Sequence, residues 1–256
     1  VESALLNIIN LQTTIATKAA RIVLTAQDRG VYDFALRRTH GMEAALKVAR
    51  SAYLAGFNGS SNVLAGKLYG IPLSHNVNKV RYCLDYLKLP YQLVQINALQ
   101  GENQTPEYKD ICHTGKIPAV EIDGLKIFES NAILRYLARR EKSSLYPQDA
   151  KAAASVDSWI DYVSIHVDNV LGRVIFNRVL APMLGRDVDE KSLKFGLEMM
   201  DKYLPIIEAQ LQSNPYIAGS EFSLADINLL AVLDPCEMAG IALSSYKKIT
   251  QWRDGL

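Results

Sequence analysis

The sequence predicts an α/β protein in three parts: a mainly helical lead segment (residues 1–66), a small α/β domain (67–142) and an all-helical domain (149–256). Three observations predict it. Leu5, Ile8, Ile9, Leu11, Ile15, Ala19 and Ile22 recur at helical spacing near the start. From residue 67 the apolar pattern switches back and forth between strand and helix periods. After residue 149 only the helical period is left.

The leading pattern covers a helix over about residues 3–25, apolar on a broad face that needs a cover. A second helix follows Gly41, over about 42–55, with Ala45, Val48 and Tyr53 inward. Residues 55–62 form a loop rich in glycine and small polar residues. Arg37 and Arg38 form a close cationic pair suited to a bidentate grip on carboxylate or phosphate. The plainer role for such a pair is surface ion pairing.

In the middle domain, Leu68-Tyr69-Gly70-Ile71 is a short strand ending at Pro72. Ser74 is placed to cap the next helix, which carries Val77, Val80, Leu84 and Leu87 on one stripe. Residues 91–96 give a second strand and 105–111 a short helix. Residues 117–122 and 125–128 flank Asp123-Gly124, a dipeptide that favours the tight primed turn of a hairpin. A helix over 130–139 turns Ile133, Leu134 and Leu137 inward. The order β-α-β-α-β-β-α is that of a thioredoxin-like domain. Residues 67–71 should complete its sheet as an edge strand.

Residues 144–148 read as a polar linker containing Pro147. Beyond it, Val156, Trp159, Ile160, Val163 and Val167 define one long helix. Leu193, Leu197, Met200, Leu204, Ile207 and Leu211 mark a packing seam on another, which Pro205 should kink or end. Ser223 and Asp226 make a capping box, with Phe222 and Ile227 as its hydrophobic staple.

Bulk properties narrow the class. The chain has 256 residues, enough for a sizeable core. It is 49% apolar and 21% charged, a globular composition. With 28 basic and 27 acidic residues the net charge is +1, so no global field points to nucleic acid or an anionic membrane. No apolar run spans a bilayer, and no Lys/Arg-led signal peptide opens the chain. Cys83, Cys112 and Cys236 are widely spaced and, with four histidines, fit neither a disulfide framework nor a metal site. A reducing, cytoplasmic setting is the expectation.

Two resemblances add to this reading. Phe34-Ala-Leu-Arg-Arg-Thr-His-Gly41 and Gly56-Phe-Asn-Gly-Ser-Ser-Asn-Val-Leu-Ala-Gly66 lie within residues 3–72, a stretch similar to an internal segment of nicotinate phosphoribosyltransferase. That resemblance places Arg37 and Arg38 near a nicotinate and phosphoribosyl diphosphate site. Most of that family's barrel is missing here, so no phosphoribosyl transfer is expected, and a chimera is implied.

Gly115-Lys-Ile-Pro-Ala-Val120, Phe128-Glu-Ser-Asn-Ala-Ile-Leu-Arg-Tyr-Leu137 and Tyr216-Ile-Ala-Gly-Ser-Glu-Phe-Ser-Leu-Ala-Asp-Ile227 occur in order after Lys67. Residues 67–256 thus resemble a cytosolic glutathione S-transferase, the serine-type bacterial and phi- or theta-like members most. The resemblance implies conjugation of glutathione, as co-substrate, to small electrophiles. It gives Ser74 the sulfur-facing hydroxyl, with His75 a bystander. It gives Lys116, Ile117, Pro118 (at the family's cis-proline position), Glu129 and Ser130 to glutathione, and Tyr162, His166 and Arg173 to an electrophile pocket. A homodimer is implied unless the lead segment blocks it. Two departures, Cys112-His113 and Asn103-Gln104, point to a weaker grip on the glycyl end.

Overall fold

The computed structural model describes residues 2–27, 29–33, 48, 51–52, 55–57, 59–60, 66–122 and 124–256. The described residues group into two compact units. One takes Val1–Gly70 and Lys88–Ile127, the other Ile71–Leu87 and Phe128–Leu256.

The first unit opens with helix α1, Glu2–Ala26. Ala19 is buried, and the turn at Gly56 lies against Val23, while Ile22 and Leu24 stay exposed. Of the second expected helix, residues 48, 51 and 52 are helical; Ala45 and Tyr53 lie outside the described residues, as do Arg37 and Arg38. A parallel two-residue pair joins β1 (Tyr32–Asp33) to β2 (Gly59–Ser60), and β2 falls inside the 55–62 stretch expected to be loop.

The same unit holds a four-stranded sheet: β3 (Gly66–Gly70), β4 (Tyr91–Gln95), β5 (Ala119–Ile122) and β6 (Leu125–Phe128), in the order β4-β3-β5-β6. The expected edge strand is therefore central. β3 runs parallel to β4, Leu68 beside Leu93, and antiparallel to β5, Leu68 beside Val120. Burial explains the placement: Leu68 and Tyr69 are buried on opposite faces, and Gly66 fits tightly under Ile122. Gly124 adopts φ +76°, as the hairpin turn requires; Asp123 lies outside the described residues. Helix α3, Pro106–Ile111, is capped by the Thr105 hydroxyl, which accepts from the Tyr108 N–H.

In the second unit, α2 (His75–Tyr86) packs on α4 (Ser130–Arg140) and on α9 (Leu224–Leu233). α9 is apolar nearly all round and almost wholly buried, the mark of a central helix. Five of its six large apolar side chains, Leu224, Ile227, Leu229, Val232 and Leu233, are buried, and each contributes about 1.5–3 kcal/mol by leaving water. The capping box forms: the Ser223 N–H and hydroxyl both donate to Asp226 Oδ2 at 3.0 Å. Phe222 stacks on Tyr86 and meets Tyr216 edge-on.

The helical run after residue 149 is less regular than its sequence suggests. α5 (Ala150–Tyr162) passes through a π turn, Val163–Val167, into α6 (Asp168–Ile175), and a second π turn, Phe176–Leu180, leads to the short α7 (Ala181–Met183). α8, Glu190–Ser213, continues through Pro205. Its buried face is Gly196, Met200, Leu204, Ile207 and Leu211, with Leu193 and Leu197 only half buried. Gly196 permits this packing, since a Cβ there would lie 2.9 Å from a Val174 methyl. α10, Lys247–Asp254, closes the unit. The expected polar linker is not solvated: Leu145 and Tyr146 are buried, and Leu145 C=O accepts from the Leu224 N–H. Among the described residues no helix is long and apolar enough to cross a membrane.

Candidate active site

The proposed site residues fall on both units. In the first unit they lie on the loop that enters β5. Asn103 Nδ2 and Gln104 Nε2 donate to Gly115 C=O at 2.6 and 3.2 Å, and the Tyr108 hydroxyl donates to Lys116 C=O at 2.8 Å. Asn103 and Gln104 are thus used to brace this loop. Gly115 holds φ +62°, and a Cβ there would collide with the bracing pair. The Lys116 side chain is exposed, and Pro118 is buried behind a cis Ile117–Pro118 bond. Pairing between β3 and β5 stops at Tyr69 beside Ala119. Ile117 lies two residues beyond that ladder, where an extended ligand can add as a strand.

In the second unit the site residues gather at two helix starts. Ser74 occupies the N-cap position of α2 with extended backbone, φ −83° and ψ 117°. Its hydroxyl does not cap the helix. The capping role anticipated from sequence is therefore not the one it performs. Glu129 holds the N-cap position of α4 at φ 67°, ψ 114°, outside the regions a side chain favours. Such a conformation costs about 1–3 kcal/mol and persists only where the surroundings enforce it. Here its carbonyl still accepts the first intrahelical bond, from the Ile133 N–H at 3.0 Å. The Glu129 side chain is exposed and makes no capping bond, while Ser130 is buried as the first helical residue rather than the cap.

A polar chain joins these starts. Ser130 Oγ lies 3.1 Å from Asn76 Oδ1, and Asn76 Nδ2 lies 3.0 Å from His75 Nε2. His75 Nε2 is 2.9 Å from Asp168 Oδ1, and Asp168 Oδ2 is 3.3 Å from Lys79 Nζ. Lys79 is only 1% exposed, so the ammonium end of its ion pair is nearly dry, while Asp168 keeps 19% exposure. Burial lowers the Lys79 pKa against the pull of Asp168. Burial also pushes Asp168 upward, but the His75 hydrogen bond and the Lys79 charge outweigh it and hold the carboxyl below its usual range. Alongside, Ser164 Oγ accepts from Asn131 Nδ2 at 2.8 Å and Asn228 Nδ2 at 3.0 Å. His75 thus links Asp168 to Asn76.

Tyr162, His166 and Arg173 lie along the helical run from α5 to α6 and find partners on α8. The Tyr162 hydroxyl donates to Tyr203 C=O at 3.0 Å, and His166 packs on the Tyr162 and Tyr203 rings. Arg173 reaches Ser192 Oγ at 3.3 Å and lies over the Phe195 ring. All three serve the face turned to α8. The opposite face, with Ser164 and Asp168, meets α2, α4 and α9.

Comparison with known proteins fits this arrangement. Residues 64–139 match the family model described as glutathione S-transferase, N-terminal domain, and residues 173–256 match the C-terminal domain. Glutathione S-transferase 1 of Zea mays is 34% identical over 194 residues, covering 74% of this chain and 90% of the relative. The chain belongs to the glutathione S-transferase family. Glutathione S-transferase F10 of Arabidopsis thaliana is 36% identical over 171 residues, 64% of this chain and 79% of its own. Among solved structures, glutathione S-transferase-I bound with lactoylglutathione superposes with TM-score 0.70 at 32% identity, covering 75% of this chain and 93% of that one. Human glutathione S-transferase T1-1 gives TM-score 0.69 at 27% identity, over 74% and 82%. The fold is the one this family uses, a thioredoxin-like domain followed by a helical domain, with an extra helical region in front.

Sequence reasoning missed Lys79 and Asp168. Their pairing spans 89 positions, so nothing local announces it. The one available signal was a lysine on a helix whose apolar stripe leaves little room for it.

Proposed function

We propose that this glutathione S-transferase conjugates the thiolate of glutathione to small hydrophobic electrophiles, with Ser74 as the hydroxyl that donates to the sulfur. The observation that carries this reading is the Ser74 hydroxyl, which stands at the head of the 12-residue helix α2 without capping it. A free thiol has a pKa of about 8.5, and each unit of lowering is worth about 1.4 kcal/mol. A hydroxyl donor beside the positive end of a helix supplies part of that.

On this reading Ile117 pairs through its backbone with the cysteinyl part of the tripeptide, Pro118 fixing the loop. Glu129 faces the γ-glutamyl ammonium, and Ser130 with the first N–H groups of α4 receives its carboxylate. Lys116 lies toward the glycyl end. Solved relatives carry lactoylglutathione and an atrazine–glutathione conjugate, which supports glutathione as the co-substrate. The proposed setting is cytoplasmic and the proposed assembly a homodimer, which sizing chromatography checks.

The test is retention on immobilised glutathione together with conjugation of 1-chloro-2,4-dinitrobenzene. Retention without turnover would instead favour a glutathione-binding module. Separately, the likeness of residues 3–72 to nicotinate phosphoribosyltransferase suggests a chimeric appendage in which Arg37 and Arg38 keep some affinity for nicotinate or phosphoribosyl diphosphate. Calorimetry with each ligand giving no heat would end that reading.

A further inference from the structure

We propose that Asp168, His75 and Asn76 form a positioning relay that reserves the hydroxyl hydrogen of Ser130 for the substrate carboxylate. The proposal rests on the reading of Ser130 as a γ-glutamyl ligand and adds what makes it one.

The relay begins at a carboxylate. Asp168 is ionised and offers only acceptors, one oxygen to Lys79 Nζ at 3.3 Å and the other to His75 Nε2 at 2.9 Å. A neutral imidazole has one protonated nitrogen, and the partner decides which. A bare Nε2 lone pair facing Asp168 Oδ1 at this distance would be repulsive, so Nε2 carries the hydrogen.

That hydrogen constrains the next residue. The Asn76 carboxamide approaches the same Nε2 to 3.0 Å on one side and Ser130 Oγ to 3.1 Å on the other. Oxygen and nitrogen of a carboxamide have the same shape, and donor–acceptor logic decides between its two settings. With nitrogen toward His75, two N–H donors oppose each other. With oxygen toward His75, Nε2–H is shared between Asp168 and Asn76, and the amide N–H points at Ser130. The second setting is the one Asp168 enforces.

The consequence falls on Ser130, which is 8% exposed and has one hydrogen to give. When Asn76 donates, Ser130 Oγ accepts, and its hydrogen is left to bond an incoming carboxylate. In the opposite setting that hydrogen is spent on Asn76 Oδ1, and a carboxylate meets lone pairs instead. His75, Asn76 and Asp168 touch no reacting atom in this scheme. They act through Ser130 alone, so the effect belongs in glutathione affinity rather than turnover.

Steady-state kinetics of the full chain with glutathione and 1-chloro-2,4-dinitrobenzene test this. Asn76→Asp leaves two acceptor oxygens, one of which takes the Ser130 hydrogen. Its KM for glutathione is expected to rise about tenfold, the size of one charge-assisted hydrogen bond, with kcat within about twofold. Ser130→Ala should give a similar rise, and the double variant no more than Ser130→Ala alone. Additive effects, or an Asn76→Asp KM equal to wild type beside a raised Ser130→Ala value, would overturn the relay and leave Ser130 in the site. An unchanged KM in Ser130→Ala would remove Ser130 from the site and the relay with it. Imidazole nitrogen NMR of the unliganded wild-type protein, with His75 assigned through His75→Gln, gives a check independent of the variants' folding. Protonated Nε2 is expected, and an unprotonated Nε2 overturns the relay.

Discussion

Ser74 and Ser223 begin two helices of the same unit and use the same residue type in opposite ways. At α9 the Ser223 hydroxyl donates to Asp226 and accepts from the Ala225 N–H, and Asp226 also accepts from the Ile217 N–H and Trp252 Nε1. Asp226 is fully buried, and its network joins the helix start to α10. At α2 the Ser74 hydroxyl makes no capping bond, and the polar links run through its neighbours His75 and Asn76. One serine is spent on the fold. The other leaves its helix start uncapped, which is the basis for proposing it as the sulfur-facing hydroxyl. A helix cap read from sequence is therefore a statement about position, and only the partners show which use is made of it.

The strongest test of the difference between the two serines is at Asp226. Asp226→Ala strands several buried donors, each costing about 1–3 kcal/mol, so unfolding free energy should fall by at least about 3 kcal/mol. Urea denaturation measures it. A loss below about 1 kcal/mol would mean that the network is decorative and that the two serines do not differ as argued.

Ser74→Ala sharpens the other side. Conjugation should fall on the order of 10²-fold in kcat, the usual size for losing one preorganised donor. Loss of an N-cap serine ordinarily costs about 1 kcal/mol, but no cap bond exists here to lose, so the change should stay within about 0.5 kcal/mol. A clear drop in stability with retained activity would return Ser74 to a structural role.

The carboxylates Asp168 and Asp226 extend the contrast to pH. Asp168 is served by a lysine and a histidine and is held below the ordinary range, so its contribution to stability is present above about pH 4 and lost as acid protonates it. Asp226 is served by neutral donors that do not offset its burial, and its pKa is raised. Its contribution is full below about pH 4 and declines as pH rises through its folded pKa. Denaturant titrations from pH 3 to 7 should show the wild-type advantage over Asp168→Asn widening with pH, and that over Asp226→Asn narrowing. Parallel trends would show that the lysine and histidine do not set Asp168 apart.

What the sequence made legible follows the range of the interactions. The Ser223–Asp226 box is three residues long, and the strands and helices of the α/β domain announce themselves by period. The motifs around Pro118, Glu129 and Ser130 are contiguous, so they were found. The central place of β3 was not, because strand order depends on which distant strands cover both its edges. Leu145 and Tyr146 looked like linker because their cover comes from elsewhere in the chain. The Lys79–Asp168 pair has no local trace. The face on which Arg173 lies was not legible for a further reason. A π turn inserts one residue, about 100° of rotation, so a regular helical projection across Val163–Val167 assigns faces wrongly beyond it.

The weakest effect is expected at Arg173. Arg173 follows the π turn, bonds Asn169 and Ser192, and stacks on Phe195 at the α8 face. Its exposed contacts are worth little individually. Arg173→Ala should leave kcat and both KM values within about twofold of wild type and lower stability by less than about 1 kcal/mol. A tenfold rise in KM for the electrophile alone would place this guanidinium against the substrate after all. It would then return Arg173 to the electrophile pocket that the family resemblance gives it.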